Sequence, residues 1–284
     1  MFRLLFTALI CLISLCLLAA CPAQMSVVYG QTQPAAPTEA PKLTVEQMKE
    51  FLLNAKVIKE KQTSKGITAP SRLTLSDGVL THDAGFQTID ESKTKMEFAS
   101  GGAEINFRDS YKYNIAAYEL ACLIGLGHMM PVTVERTIDG KSGSLTWWLK
   151  VQMDEADRMK KKISPPYPES WNAQMHRIRV FTQLVFDTDR NLTNILIDPD
   201  WNLYMIDFSR AFRLYSEIKN EKDLIKCDRN LLARLRKLER SQVENATRKY
   251  LNNSEIKAIM ARRDKIITHF EKLIAQKGEK EILY

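Results

Sequence analysis

Cysteine and histidine are scarce in this chain. Five cysteines and four histidines occur in 284 residues, and no Cys-x-x-Cys pair is present. Structural zinc sites gather four sulfur or nitrogen ligands at short spacings, so no such site is expected. Two of the cysteines, Cys11 and Cys16, lie in an apolar leader. If Cys21 is modified as described below, only Cys122 and Cys227 remain. Two thiols permit one disulfide but not a disulfide framework. Long apolar runs are also few, and no internal repeat is seen. The run from Leu4 to Leu18 is shorter than the ~20 residues a membrane-spanning helix needs. Neither sign of charge dominates. Lysine and arginine number 41 against 34 acids, for a net charge of +7. A basic surface favours phosphate-rich ligands, nucleic acid or anionic headgroups. Here the cations are spread among nearly as many acids. The run Arg158-Met-Lys-Lys-Lys162 reads as a solvated face, and no nucleic-acid partner is expected.

What remains is an ordinary globular composition, 45% hydrophobic and 26% charged. The length suits one large domain or two lobes that share a cleft. The beginning of the chain stands apart. Met1-Phe-Arg3 is basic, an apolar run follows, and Leu18-Ala-Ala-Cys21 closes it with small residues. That order marks a secretory signal over residues 1–20. Leu-Ala-Ala-Cys resembles the bacterial lipobox. The resemblance implies cleavage before Cys21, lipid on its sulfur and amine, and a membrane anchor facing outside the cytoplasm. An ordinary signal peptide with an incidental Cys21 is the alternative. Residues 21–42 are rich in Pro, Ala, Gln and Thr and read as a flexible tether.

Residues 43–151 carry strand signals around two helices. Val45, Met48, Phe51, Leu52 and Ala55 recur at helical spacing, which predicts a helix over 44–60 with Thr44 as N-cap. Ser76-Asp-Gly78 is a turn, and Ile67 to Leu75 and Ala84 to Ile89 are β-like. A buried helix is expected over 110–126, ended by Gly125 and Gly127. Asp139-Gly140 between two β-rich runs predicts a hairpin. From residue 152 to 284 the pattern is mostly helical, including 171–186 and 256–274. The change near residue 151 reads as a hinge, and clefts between lobes are favoured ligand sites.

The chemistry concentrates in residues 187–213. An apolar helix ends near Phe186, and the polar loop Thr188-Asp-Arg-Asn-Leu-Thr-Asn194 follows. A strand Ile195–Ile197, the turn Asp198-Pro-Asp-Trp-Asn202 and a returning strand 203–206 then deliver Asp207. A hairpin brings its ends together, so Asp189 and Asn194 should lie beside Asp207. Phosphoryl transfer needs a carboxylate for the attacking hydroxyl and hard oxygen ligands for a divalent cation on the phosphates. This set offers both.

Asp189 and Asn194 have the spacing of the base and metal-binding Asn of protein kinases, and Asp207-Phe-Ser209 stands where those enzymes have Asp-Phe-Gly. The wording of the motif resembles the branch that holds type II phosphatidylinositol 4-kinases, HipA-type kinases and secretory-pathway kinases. Ala116-Ala-Tyr118, Ile124-Gly-Leu126 and Met130-Pro131 resemble that branch's helix opposite the nucleotide. The resemblance is clearest over residues 107–213. It implies an α+β, bilobal protein-kinase-like fold, with a β-rich N-lobe over 43–151 and a helical C-lobe over 152–284. It further implies Asp189 as catalytic base and Asn194 and Asp207 as ligands of Mg²⁺ or Mn²⁺. ATP is the implied co-substrate, and a hydroxyl of a protein, lipid or glycan the acceptor.

One part of the kinase apparatus is altered. Kinases set a strand Lys on the phosphates and pair it with a helix Glu. Here Gln87 and Asn114 fall at those places. The two amides are placed to hydrogen-bond to each other and to line the nucleotide site. Lys65, beside Gly66 in a turn where phosphates should be covered, offers a cation, though an exposed turn lysine reads equally well. Lys93 and Lys95 are further candidates, as are Glu104 and Glu119 for the helix acid. Arg190 and Arg210 either clamp an anion or pair with a structural carboxylate such as Asp187. Trp147 and Trp148 either face a base or pack in the core. The altered pair leaves room for a pseudokinase that binds nucleotide or protein without turnover.

Overall fold

The computed structural model describes residues 43–62, 70–97 and 101–284. Residues 43–284 pack as one compact unit. Helix α1 (Val45–Asn54) begins where expected. Thr44 Oγ1 accepts from Gln47 N at 3.2 Å while Gln47 Oε1 accepts from Thr44 N at 2.8 Å, a reciprocal capping box. It ends six residues before the expected Glu60. From Lys56 the chain is strand β1 (Lys56–Gln62), paired antiparallel with β2 (Ser71–Ser76). The β-branched Val57 and Ile58 favour the pleated state over a further helical turn.

Strand β3 (Thr81–Gln87) follows the turn at Asp77–Gly78. There Asp77 Oδ1 accepts from Val79 N and Leu80 N, and Gly78 takes φ of +93°. Val79 and Leu80 lie outside the strands, and Val79 is fully exposed. The sheet is completed by β6 (Thr133–Ile138) and β7 (Lys141–Trp147), in the order β1-β2-β3-β7-β6. Asp139 and Gly140 both have positive φ, 49° and 77°. Two left-handed residues match the twist of a two-residue hairpin. On one face Leu73, Leu75, Ala84, Phe86 and Leu145 are buried. Register places Arg72, Gly85 and Gln87 on the other face.

Between β3 and helix α2 (Tyr111–Leu123) stands a separate hairpin, β4 (Asp90–Glu97) with β5 (Ala103–Ser110). Its first strand is polar on both faces and carries no apolar alternation, whereas in its second Ala103, Ile105 and Phe107 alternate with Glu104, Asn106 and Arg108. Helix α2 is capped by Ser110 and buries Tyr113, Ile115, Ala116, Ala117, Tyr118 and Leu120. Tyr113 donates its hydroxyl to the buried Glu255, which Arg108 also reaches at 3.1 Å.

The rest is helical around a small three-stranded sheet. It comprises β8 (Met153–Asp154), α3 (Glu155–Lys160), α4 (Pro168–Val185), β9 (Ile195–Ile197), β10 (Leu203–Met205), α5 (Arg229–Lys237), α6 (Arg240–Thr247), α7 (Asn253–Lys277) and α8 (Glu279–Ile282). One apolar core runs through both parts, with Leu145 and Ile124 in the same cluster as Phe181, Phe208 and Phe270. Arg262 of α7 is fully buried and donates to the carbonyls of Leu184, Arg213 and Tyr215. It thereby ties the end of α4 to the segment after Asp207. Its cation faces the C-terminal end of α4, where helix carbonyls are unpaired and the dipole is negative. No helix among the described residues is long and apolar enough to cross a membrane.

Candidate active site

Helix α4 stops at Phe186, which takes left-handed φ of 47° and turns the chain into the loop of interest. Phe212 N donates to Val185 O at 2.7 Å, so the segment after Asp207 returns to the same helix end. The loop is fastened by Arg190. Its guanidinium pairs at 2.6 Å with Asp187, a carboxylate only 1% exposed. It also donates to Asn194 O at 3.0 Å, Ile206 O at 2.7 Å and Asp207 O at 3.3 Å, and it stacks on Phe208 at 4.1 Å. Of the two roles open to Arg190, the structure shows the pair with Asp187. One side chain thus joins the loop before β9 to the residues after β10.

Those contacts bring the three expected residues together. β9 and β10 pair antiparallel from Met205↔Ile195 to Leu203↔Ile197, and Ile206 N donates to Asn194 O at 3.1 Å. Asp189 is about half exposed (49% of its side chain) and its N–H donates to Asp187 Oδ1 at 3.0 Å. Asn194 is buried and turns its Nδ2 toward Asp189 O at 3.4 Å, which directs the amide oxygen away from that carbonyl. Asp207 is exposed at the end of the hairpin with φ of +55°. A non-glycine residue there is strained, and such strain persists only where the surroundings enforce it. Arg190, Phe208 and Ile206 are those surroundings. Burial pushes the Asp189 carboxyl above its ordinary value; the nearby Arg210 opposes the shift and Asp207 and Asp187 add to it.

A fourth acid, Asp109 at the end of β5, belongs to this region. It is 8% exposed, and its Oδ1 is buried without a hydrogen-bond partner. Burial raises its pKa; the Ser209 hydroxyl opposes this and the charge of Asp207 reinforces it. The sequence carries no spacing signal for Asp109. It sits one residue before a helix cap, where an acid is unremarkable. Asp207 and Asn194 offer hard oxygens, and Asp109 adds an orphaned buried one. This donor set fits Mg²⁺ or Mn²⁺, which take oxygen ligands and keep sites for water and phosphate.

A neutral amide pair stands where kinases carry opposite charges. Asn114 Nδ2 donates to Gln87 Oε1 at 2.5 Å, and Asn114 Oδ1 accepts from Phe208 N at 2.7 Å. Ser144 Oγ lies 3.4 Å from the same amide nitrogen. The amide pair anticipated between β3 and α2 is therefore present, and it reaches the residue after Asp207. Because Gln87 points to Asn114, its face of β3 looks toward Asp207. Lys65 and Cys21 lie outside the described residues. The other candidates for the charged pair are engaged elsewhere. Lys93 pairs with Glu91 and Lys95 with Glu97 on the outer hairpin. Glu119 meets Lys49, and Glu104 meets Arg210 and Arg213. Arg210 also stands 3.7 Å from Asp189. Arg158, from the basic run, is bound by Glu155 and lies over Trp171.

The two tryptophans divide between faces. Trp147 lies opposite Ala84, stacks on His82 at 3.8 Å and meets Phe51 edge-on, so it packs on the core face. Trp148 lies against Gly85 on the face of Gln87, under the Arg72 guanidinium at 4.4 Å.

No protein-family model matches the chain, and no curated protein matches it. Solved structures do. A hydra Fam20 protein, determined with sugar, superposes with a TM-score of 0.64 at 14% identity, over 84% of this chain and 92% of that one. The Helicobacter pylori proinflammatory kinase CtkA gives 0.49 at 9% identity, over 80% and 98%. At that score the second likeness adds nothing to the first. The fold is α+β and protein-kinase-like, with a sheet-rich part followed by a helical part.

Proposed function

We propose that this protein is a kinase-like phosphotransferase that moves a phosphoryl group from a metal–nucleotide complex, ATP with Mg²⁺ or Mn²⁺, to a hydroxyl acceptor. The observation that carries this reading is the convergence of Asp189, Asn194 and Asp207 on one hairpin. Asn194 and Asp207 would hold the cation, with Lys65, Gln87 and Asn114 lining the nucleotide side. The cation would neutralise phosphate charge. Asp189 would orient the acceptor hydroxyl and accept its proton, aided by a pKa raised toward the working range. Among acceptors of protein, lipid or glycan type, the sugar in the hydra Fam20 structure supports a glycan. The Leu18-Ala-Ala-Cys21 pattern supports export and lipid anchoring through Cys21.

The purified protein would be incubated with γ-labelled ATP and Mn²⁺ or Mg²⁺ beside Asp189→Ala and Asp207→Ala. Label should be hydrolysed or transferred by the wild type, and Asp189→Ala should lower the rate about 100-fold or more, the usual contribution of a positioned base. Absence of both reactions in the wild type would sink the enzyme reading. The neutral Gln87–Asn114 pair favours a second reading, a pseudokinase. That reading expects nucleotide binding that needs metal and Asp207, with no turnover. For the anchor, Cys21→Ser should release the protein from membranes; unchanged retention would remove lipidation from the account.

A further inference from the structure

Asp109 has an environment that no part of the proposed chemistry uses. Its carboxyl is more than nine-tenths buried, and Oδ1 has no donor. Ser209 bonds it from the segment after Asp207, while Asp207 and, from across the hairpin, Glu91 set like charge against it. Arg210 is the opposing cation, but its guanidinium is already held by Glu104 at 3.1 Å. Burying a carboxylate oxygen with no partner is costly, and like charges raise that cost. Yet the position is rigid. Ser110 N donates to Ser209 O at 2.9 Å, which fixes the end of β5 to the turn that presents Asp207. Ser110 also caps α2 through Lys112 N, and Ser110 Oγ donates to Asp90 at 2.7 Å. An acid fixed this firmly beside another acid is short of one thing, a positive charge.

We infer that Asp109 is a second carboxylate for the divalent cation at Asp207, so that this site is built from two acids of different lobes and not from the hairpin alone. The inference rests on the metal–nucleotide reading above and extends it to a residue of β5. It also accounts for the neutral amide pair. A cation held by two carboxylates from opposite sides would stay at the cleft without help from a strand lysine. The β4–β5 hairpin then supplies a metal ligand, beyond covering the segment after Asp207.

The test is Mn²⁺ binding by the metal-free protein without nucleotide, followed by the electron paramagnetic resonance signal of free Mn²⁺ and by thermal unfolding. Wild type should bind Mn²⁺ and unfold at higher temperature with it. Asp109→Asn should weaken Mn²⁺ binding about tenfold or more, as loss of groups that hold a metal typically does. The same variant should raise the unfolding temperature of the metal-free protein, because a buried carboxylate set against the like charges of Asp207 and Glu91 has gone. Asp109→Ser, smaller and unable to crowd Ser209, should weaken Mn²⁺ binding equally, and Glu91→Gln should leave it within about twofold, as a surface change away from the ligands does. If Asp109→Asn and Asp109→Ser bind Mn²⁺ like the wild type while Asp207→Asn does not, Asp109 is no ligand and the metal reading stands. If the wild type binds no Mn²⁺, even with a non-hydrolysable ATP analogue present, both fail together.

Discussion

The helical wall and the sheet wall of the candidate site differ in charge and in how they are held. The helical wall concentrates acids. Asp207 is exposed just after β10 and Asp189 in the loop before β9, where Asn194 is buried and the Asp187–Arg190 pair fastens the chain. The sheet wall presents amides, Gln87 and Asn114, where an ammonium and a carboxylate would do the same geometric task. A neutral pair keeps the strand and helix in register and still reaches Phe208 N. It attracts no phosphate over distance. The lesson is that positioning and charge are separable. Here positioning is kept by hydrogen bonds on both sides, while the acidic charge is concentrated at Asp187, Asp189 and Asp207.

Variants that strike one wall at a time sharpen this contrast. The largest effect is expected from Arg190→Ala. It strands Asp187 as a buried unpaired charge and frees three carbonyls, and breaking such a pair costs about 3–5 kcal/mol. Chemical unfolding should show that loss, and metal-dependent nucleotide binding should fall with it; a change below about 1 kcal/mol would mean Arg190 is not the fastening. Next comes Asn114→Leu, which removes the amide that accepts from Phe208 N and donates to Gln87 Oε1. Leaving a buried donor such as Phe208 N unmatched costs about 1–3 kcal/mol. Unfolding measurements should register it, whereas a neutral outcome would show that water replaces the amide.

The double change Gln87→Lys with Asn114→Glu places an ammonium and a carboxylate where the amide pair now stands. ATP should then bind about tenfold tighter, a gain near 1.4 kcal/mol, read by titration calorimetry with Mn²⁺ present. No gain would mean that the sheet wall does not face phosphate. The smallest effect concerns pH. Burial raises the folded pKa of Asp189, and Arg210 lowers it. The rate should therefore fall on acidification at a pH above the ordinary aspartate value, once Asp189 is protonated and cannot accept a proton. Arg210→Gln removes the opposing charge, so the acid limb should move further up. A downward move would reverse the assigned sign.

Much of the helical wall is legible in the sequence because its signals are local. Turn residues Asp198 to Asn202, short apolar strands and a polar loop of fixed length place Asp189, Asn194 and Asp207 without tertiary knowledge. The Gln87–Asn114 bond is legible too, through the resemblance that aligns β3 with α2. The β4–β5 hairpin and Asp109 are not. β4 is solvated on both faces and has no periodicity to read, the alternation in β5 spans only Ala103 to Arg108, and a buried acid looks like an exposed one in sequence. Helix α1 was expected to run on to Glu60, because an apolar pattern cannot show that Val57 and Ile58 find a strand partner in β2. The Arg190 alternatives closed only when Asp187 proved buried.

The proposed role of Asp207 in holding a metal–nucleotide complex is tested most directly by the ATP affinity of the wild type and Asp207→Ala, each with and without Mn²⁺. Mn²⁺ should tighten ATP binding to the wild type by at least about tenfold, 1.4 kcal/mol, and the substitution should erase this gain. Equal affinity with and without metal in the wild type, or a full metal effect in Asp207→Ala, would contradict it.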